Sequence, residues 1–336
     1  MPLIELSRGG TPECLHFGAV AVVNRQGRVT AQVGNPHLLT FTRSTLKALQ
    51  ALPFIASGGH TALGYSQAEV AMLCASHNGE PVHAQAADTM LHKAGLNYRA
   101  LRCGCHVPGL FTLLEQLPPA DLAYDERHNN CSGKHAGFLG HCVQQGWSLD
   151  DYIDPGHPLQ QAVRRAVADA VGMEEADMKL GIDGCSAPNY AMPLSRLATG
   201  YARLASGAQD AAWGESFATL AEAMTTHPEM VSGTGRSDLA FMQAGGGDWV
   251  TKVGADGVQV VASKSRGEAF AIKISDGSKP ALFATTVAVL DQLGWLDDAQ
   301  RAALAPWRAS EIRNARQMLV GARRPVFQLS TPGSAA

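Results

Sequence analysis

Apolar runs of the length of β-strands, bounded by turn residues, lie toward the two ends of the chain. Residues 17–23 form a run rich in β-branched side chains, an Asn-Arg-Gln-Gly turn follows at 24–27, and a second stretch continues to residue 33. This pattern predicts a β-hairpin over residues 15–33. Three more strands are predicted near the other end, at residues 249–253, 257–262 and 269–274.

The middle of the chain has the apolar spacing of helices, with recognisable start and stop signals. Ser66 and Glu69 have the spacing of a capping box, and Gly95 and Gly172 stand where helices would end. The predicted helices cover residues 44–51, 66–74, 81–93, 132–145, 158–171, 191–206, 211–225, 280–293 and 298–304. A short apolar strand at 178–182 is predicted to carry the Asp-Gly-Cys run 183–185 at its tip.

Strands at both ends with helices between them predict an α/β (α+β) fold. One antiparallel sheet would be built from both chain ends and flanked by helices, with a helical subdomain inserted. We expect a single domain over 1–325, and residues 326–336 are expected to form a loose tail. Within the domain, the sheet subdomain would take about 1–50 and 230–325, and the mostly helical subdomain about 51–229.

Composition narrows the classes of function. The 336 residues are 17% charged and 46% hydrophobic with a net charge of -3, which is ordinary for a soluble protein. No Lys/Arg run resembles a nucleic-acid or membrane site, and no apolar run has the length of a spanning helix. The first residues lack the features of a signal peptide, so we expect a cytoplasmic protein. The seven scattered cysteines favour reduced thiols.

The first candidate for chemistry is Ser44, which begins a predicted helix and forms the only Ser-x-x-Lys of the sequence with Lys47. Positions i and i+3 share one helix face, so the hydroxyl and the amine can meet. A serine becomes a nucleophile when a base removes its proton, and a lysine is such a base when burial or a nearby cation favours its neutral form. Alone, the motif is more typical of a solvated helix start.

Two further motifs change that interpretation. Ser76-x-Asn78 follows a predicted helix, and Lys252-x-Gly254 lies in a predicted strand, although each alone fits a helix end or a strand end. The three motifs occur in the chain order of the serine β-lactamase and penicillin-binding-protein motif set. Two Ser/Lys pairs in one cleft would supply a nucleophile, a base and a second proton carrier. The interval from position 44 to position 76 is short for a β-lactamase.

A possible metal site involves two cysteines that are far apart in sequence. Cys131 and Lys134 lie in a polar run at 128–137, and Cys185 follows the strand predicted at 178–182. Two thiolates beside a lysine and a histidine could form a soft site for Zn²⁺. The spacing contains no Cys-x-x-Cys, and a lysine must lose a proton before it binds metal, so spacing alone favours two buried free thiols.

Four segments resemble the rhizobial-type, or class 3, L-asparaginases: residues 75–81, 129–137, 183–185 and 252–257. The resemblance extends from about residue 5 to about residue 325, and the Asn-Asn-Cys-Ser-Gly-Lys-His run inside 129–137 is very specific. It implies a serine β-lactamase-like fold, a homodimer, and hydrolysis of L-asparagine to aspartate and ammonia.

The resemblance also implies roles for individual residues. Ser44 would be the nucleophile and Lys47 its base, while Ser76 and Lys252 would form the second Ser-Lys tandem and pass the proton to the leaving ammonia. The expected substrate-binding residues are Arg43, Asn78 and Asp183. The positions of the family's zinc ligands are occupied by Cys131, Lys134 and Cys185. The resemblance therefore implies a zinc site, whereas spacing alone favoured two free thiols. One departure is Ser186, where the family usually has glycine.

Two other functions remain open at this point. One is a β-lactamase-like serine hydrolase that acts on another amide or peptide. The other is a non-catalytic zinc- or amino-acid-binding protein, which would have no need of the Ser44/Lys47 pair. Release of ammonia from asparagine separates the asparaginase hypothesis from both.

Overall fold

The computed structural model describes residues 1–308 and 310–333 and has a mixed α/β architecture. The strands are β1 Pro2–Arg8, β2 Thr11–Asn24, β3 Val29–Val33, β4 Leu39–Phe41, β5 Lys179–Ile182, β6 Pro188–Pro193, β7 Trp249–Gly254, β8 Val258–Ser263, β9 Glu268–Ile274, β10 Glu311–Arg313 and β11 Leu319–Pro325. The helices are α1 Lys47–Gln50, α2 Leu52–Ala56, α3 Gly59–Ala62, α4 Gln67–Leu73, α5 Pro81–Lys93, α6 Gly109–Leu113, α7 Ser132–Gln145, α8 Pro158–Val171, α9 Leu194–Ser206, α10 Gly214–Thr226, α11 Pro228–Val231, α12 Ser237–Ala244, α13 Lys279–Gln292 and α14 Asp298–Ala303. None of the helices in the described ranges has the length and apolar character that a membrane crossing requires.

The main sheet is antiparallel and uses strands from both ends of the chain, as the sequence pattern predicts. Its order is β10-β11-β1-β2-β9-β8-β7, and β3 pairs with β2. The predicted hairpin is present, since Val20 of β2 pairs with Val33 of β3. A second, smaller sheet has the order β4-β6-β5.

The main sheet is covered by helices on both faces because its strands alternate between two cores. Along β2, Val20 and Val22 belong to one hydrophobic cluster, while Ala19, Ala21 and Val23 belong to the other. Successive side chains of a strand point to opposite faces, so each face needs its own cover. Helix α13 covers the first face, and α9 covers the second with the larger helical body behind it.

Several elements differ from the sequence prediction. The helix predicted at 191–206 starts only at Leu194, because the preceding residues form β6 and Pro193 stands before the helix. The predicted loose tail is wrong for its first part, since Phe327 is 7% exposed and Ser330 forms a β-bridge with Gln32. Apolar burial and backbone pairing hold this segment, whereas residues 334–336 lie outside the described part of the chain. Strands β1, β10 and β11 were not predicted.

Two glycines allow the helices next to the motifs to pack closely. A Cβ at Gly133 would lie 2.2 Å from the carbonyl oxygen of Met72, and a Cβ at Gly137 would lie 2.3 Å from Cδ2 of Leu73. Helix α7 therefore approaches α4 at a distance that a larger residue would prevent. This contact brings the start of α7 beside residues 76–79, which follow α4.

Candidate active site

The Ser44 segment begins a helix, as predicted, through a tightly held turn. Residues 43–46 form a 3-10 turn that continues into α1, and Arg43 adopts a left-handed φ of 50°. The Asn189 side chain accepts from the Arg43 N–H at 3.0 Å and donates to the Arg43 carbonyl at 3.0 Å. A non-glycine residue in this region of φ costs free energy and persists only where its surroundings fix it. Asn189 thus holds the turn that presents Ser44.

Ser44 itself is half-buried, and its hydroxyl forms no hydrogen bond with another described residue. Lys47, by contrast, is 1% exposed. Its amine donates to the carbonyl of Ala75, contacts Oγ of Ser76 at 2.9 Å and donates to the carbonyl of Asn130 at 3.2 Å. The described residues therefore place Lys47 in direct contact with Ser76 rather than with Ser44.

The partners of Lys47 limit how a proton can move. The carbonyl oxygens of Ala75 and Asn130 can only accept hydrogen bonds, whereas a serine hydroxyl can both accept and donate. When Lys47 is neutral, its lone pair can receive a proton from Ser76, and when it is charged it donates to Ser76. The contact joins a residue of each predicted Ser-Lys tandem.

Lys252 lies in β7 with its side chain fully buried, and it pairs with Asp238. Its amine donates to Oδ2 of Asp238 at 3.1 Å and to the carbonyl of Val253 at 3.0 Å. Burial lowers the pKa of Lys252 to about 8, against the opposing attraction of Asp238 and with further lowering by the charges of Lys47 and Arg236. Neither predicted serine hydroxyl is a hydrogen-bond partner of Lys252 among the described residues.

Asp238 is a buried acid that the sequence interpretation missed. Besides Lys252, its carboxylate accepts from Thr251 Oγ1 at 3.1 Å, from the Val253 N–H at 2.9 Å and from Gln259 Nε2 at 3.2 Å. Although burial opposes ionisation, the charge of Lys252 and the hydrogen bonds from Val253, Gln259 and Lys252 lower the pKa of Asp238. In the sequence it looks like an ordinary acidic residue in the first turn of a helix, so no local signal marks it.

The segment after α4 forms a second buried polar group. His77 accepts the Gly79 N–H at Nδ1 at 3.0 Å, so its proton is on Nε2, which donates to Ser132 Oγ at 2.9 Å. Burial lowers the pKa of His77 well below its usual value, and the ring stacks on His83 with centroids 4.8 Å apart. His77 is therefore a neutral residue that fixes the segment against the start of α7.

Asn78 lies in the same segment and is completely buried. Its Nδ2 donates to Glu80 Oε1 at 3.0 Å and to the carbonyl of Thr234 at 2.9 Å. Its Oδ1 is buried without a hydrogen-bond partner among the described residues. A buried acceptor without a donor is uncommon in native structures, so this oxygen is suited to a ligand that carries N–H groups.

The other two predicted substrate-binding residues are brought together in an ion pair. Arg43 Nε donates to Asp183 Oδ1 at 2.8 Å, and its guanidinium also contacts Asp256. Asp183 further accepts from the Gly184 N–H at 2.9 Å. The side chain of Asp183 is 9% exposed and that of Arg43 is 28% exposed, so the carboxylate is largely shielded from solvent while the guanidinium remains partly accessible.

The predicted metal ligands also come together. Lys134 Nζ lies 3.0 Å from Cys185 Sγ, and the three side chains of Cys131, Lys134 and Cys185 are each 5% exposed or less. A hydrogen bond from the Cys131 thiol and the charge of Lys134 hold the pKa of Cys185 far below its usual range, while the same contact raises the pKa of Cys131. The described residues contain no group of three or more His, Cys, Asp or Glu side chains that could hold a metal ion.

The loop that carries Cys185 is bent at the position where the sequence departs from the resembled family. Ser186 has a left-handed φ of 68°, and its N–H donates to the Asp183 carbonyl at 2.9 Å. Glycine adopts this conformation without a Cβ penalty. The backbone therefore explains why glycine would suit this position.

The chain matches one family model over nearly its whole length. A model described as L-asparaginase II covers residues 4–325. The comparison with curated proteins finds no match. The match agrees with the resemblance of the motifs and supports an asparaginase-type function that acts on a small-molecule amide. The chain therefore belongs to the L-asparaginase II family, the rhizobial-type L-asparaginases.

Proposed function

We propose that the protein hydrolyses L-asparagine to L-aspartate and ammonia through an acyl-enzyme formed on Ser44. Family membership supports the reaction class. The observation that carries the mechanism is the 2.9 Å contact between Lys47 Nζ and Ser76 Oγ. Ser44 lies three residues before Lys47, and its own hydroxyl forms no hydrogen bond with the described residues. Such a hydroxyl can turn toward a substrate.

The proposed reaction has two stages. Ser44 Oγ attacks the side-chain amide carbon and its proton passes to neutral Lys47, then through Ser76 to the amide nitrogen, which leaves as ammonia. Water then attacks the ester on Ser44, gives its proton back along the same path, and releases aspartate. Lys252, with a pKa of about 8, is the second lysine of this proposal and keeps the surroundings of Lys47 electropositive.

The substrate's charged groups have candidate partners around this centre. The unpartnered Oδ1 of Asn78 can accept an N–H of the substrate α-ammonium, and the Asp183 carboxylate attracts the same charge. Arg43 aligns Asp183 and offers its remaining guanidinium N–H groups to the bound amino acid. These assignments follow the roles expected from the family resemblance.

We also propose that Cys131, Lys134 and Cys185 would hold a Zn²⁺ ion. The donor set fits, since two sulfur atoms and an amine converge and Cys185 has the lowered pKa of a thiolate, and the Lys134 amine would release its proton when the metal binds. Bound zinc would supply a fixed positive charge that orients the substrate beside Asp183. Serine supplies the nucleophile, so no step of the proposed acyl transfer depends on the metal.

Three further parts of the proposal concern the whole molecule. The antiparallel sheet built from both chain ends supports a serine β-lactamase-like fold. The family resemblance supports a homodimer, which light scattering after size-exclusion chromatography would test. A cytoplasmic location is proposed from the sequence, and fractionation of cells that express the protein would test it.

The decisive experiment measures ammonia release from L-asparagine by wild type and by Ser44→Ala. We expect the variant to lose at least about 10³-fold in kcat while remaining folded, because the substitution removes the proposed nucleophile and leaves the half-buried side chain without a hydrogen-bond partner to lose. Ser148→Ala, which alters an exposed serine, is the matched control and should retain wild-type activity. Ser44→Ala turnover within tenfold of wild type would reject Ser44 as the nucleophile.

A further inference from the structure

Arg236 stands at the start of α12 with most of its hydrogen-bonding capacity unused. Its guanidinium donates to the backbone carbonyl of Ser76 at 3.2 Å and forms no ion pair with a carboxylate in the described part of the chain. A guanidinium has five N–H donors in a planar fork that matches the two oxygens of a carboxylate. Arg236 therefore presents unused donors beside the serine that contacts Lys47.

The electrostatics of this region favour an anionic ligand. Lys47, Lys252 and Arg236 are close enough that the two other charges lower the pKa of Lys252. The carboxylate within this group is Asp238, whose oxygens already accept four hydrogen bonds from its neighbours. Even with Lys47 neutral, as the proposed reaction requires, the two cations Lys252 and Arg236 outnumber the one occupied carboxylate, and a bound carboxylate would offset the excess positive charge.

An acceptor without a partner lies on the same segment. Arg236 contacts the Ser76 carbonyl, while two residues away Asn78 donates to the Thr234 carbonyl and leaves its own Oδ1 unsatisfied. The segment 76–78 is thus bordered by unused N–H donors at one end and an unused oxygen acceptor at the other. An amino acid carries a carboxylate and an ammonium on one carbon, and so offers the complement of both.

We propose that Arg236 binds the α-carboxylate of the amino-acid substrate and thereby makes the site specific for amides of α-amino acids. This inference rests on the proposed asparaginase function and adds a residue to it. Two carbon atoms separate the amide carbon of asparagine from its carboxylate carbon. An anchor that touches the Ser76 backbone therefore holds the scissile amide near the proposed Ser44, Lys47 and Ser76 group.

The test compares two substrates that differ by the carboxylate alone, L-asparagine and 3-aminopropanamide. Arg236→Met should lower kcat/KM for L-asparagine by roughly 10- to 100-fold, mainly through KM, because a charge-assisted hydrogen bond is lost. The same variant should change kcat/KM for 3-aminopropanamide by less than about threefold. Arg236→Lys should recover part of the loss, since it restores the charge without the fork.

The matched control is Arg266→Met, which alters an exposed arginine that also donates to a single backbone carbonyl, that of Gly294. It should leave both substrates unaffected. Circular dichroism of each variant checks the fold, and Arg236→Lys keeps the test valid if Arg236→Met does not fold.

A binding arm separates this inference from the proposed reaction. Calorimetry with L-aspartate and with 3-aminopropanoate, which lacks the α-carboxylate, should show that Arg236→Met weakens L-aspartate binding alone. If wild type releases no ammonia but binds L-aspartate more tightly than Arg236→Met does, the proposed reaction is wrong while the role of Arg236 in carboxylate binding is supported. Equal losses for both substrates, or L-aspartate affinity unchanged in Arg236→Met, would overturn the anchor.

Discussion

Replacing Asp238 by asparagine tests whether the buried Lys252–Asp238 pair is organised as described. The substitution keeps the shape but removes the charge, and it places an NH₂ group where two oxygens accept from four donors. Removing one partner of a buried ion pair costs about 3–5 kcal/mol, because the remaining charge stays buried without compensation. We expect a loss of that size in the free energy of unfolding at neutral pH.

The cost should depend on pH in a defined direction. In wild type the folded-state pKa of Lys252 is about 8, below its ordinary value of 10.5, and Asp238 is the group that raises it against burial. Asp238→Asn should lower this pKa further, so Lys252 loses its proton at a lower pH in the variant. Below pH 8 wild type keeps a charge–charge attraction that the variant lacks, and this advantage disappears as pH rises through 8.

Urea unfolding at about pH 6.5 and about pH 9.5 measures both effects, with the m-value checked for constancy. Thr251→Val is the matched control, since it removes one hydrogen bond to Asp238 without altering a charge. It should cost about 1 kcal/mol at both pH values. If the difference between Asp238→Asn and wild type were the same at both pH values, Lys252 and Asp238 would not be electrostatically coupled.

Three further predictions concern the bent loop, the metal and the lysines. Ser186→Gly should raise the free energy of unfolding by up to about 1 kcal/mol in denaturant titration, because a φ of 68° disfavours a side chain; a loss of stability would contradict that assignment of strain. Elemental analysis should find about one zinc per chain in wild type but not in Cys185→Ser. The control Cys14→Ser, which alters an exposed thiol, should keep its zinc. Equal zinc in all three proteins would remove Cys185 from the ligand set. Lys47→Met and Lys252→Met should each severely reduce kcat, with the double variant little worse, because Lys252 acts through its charge near Lys47 and has no base to act on once Lys47 is removed. Losses that multiply would argue for independent roles.

Local patterns predicted the longer helices and the hairpin well, although they missed α12, which carries Asp238. The helices predicted at 132–145 and 158–171 have the observed ends, since Gly146 and Gly172 adopt the left-handed conformation that terminates a helix. Strands β1 and β11 were missed because their formation depends on a partner that is distant in sequence. They stabilise each other across the whole chain, as in the pairing of Glu5 with Arg324, and neither has an alternating pattern strong enough to be recognised alone.

Among the site residues as well, those that belong to a sequence motif were predicted, and those that depend on tertiary packing were not. Motif order and family resemblance selected side chains such as Ser76 and Lys134, which the structure does bring next to Lys47 and Cys185. Asp238 and the other residues that hold these side chains were not recognised from the sequence. Their importance comes from burial and from the donors around them, and both arise only when distant segments pack together.

The partner of Lys47 illustrates why a correct motif can still give an incomplete mechanism. Helical spacing predicts contact between Ser44 and Lys47, yet the long lysine side chain instead reaches a cage formed by the Ala75 and Asn130 carbonyls and the Ser76 hydroxyl. Two members of that cage can only accept hydrogen bonds, so any proton that reaches Lys47 from the cage comes from Ser76. A serine 29 positions away in sequence is thereby coupled to the Ser-x-x-Lys pair. This coupling is the physical reason why Ser44, Lys47 and Ser76 should behave as one proton path, and why removing Lys47 should disable the whole unit.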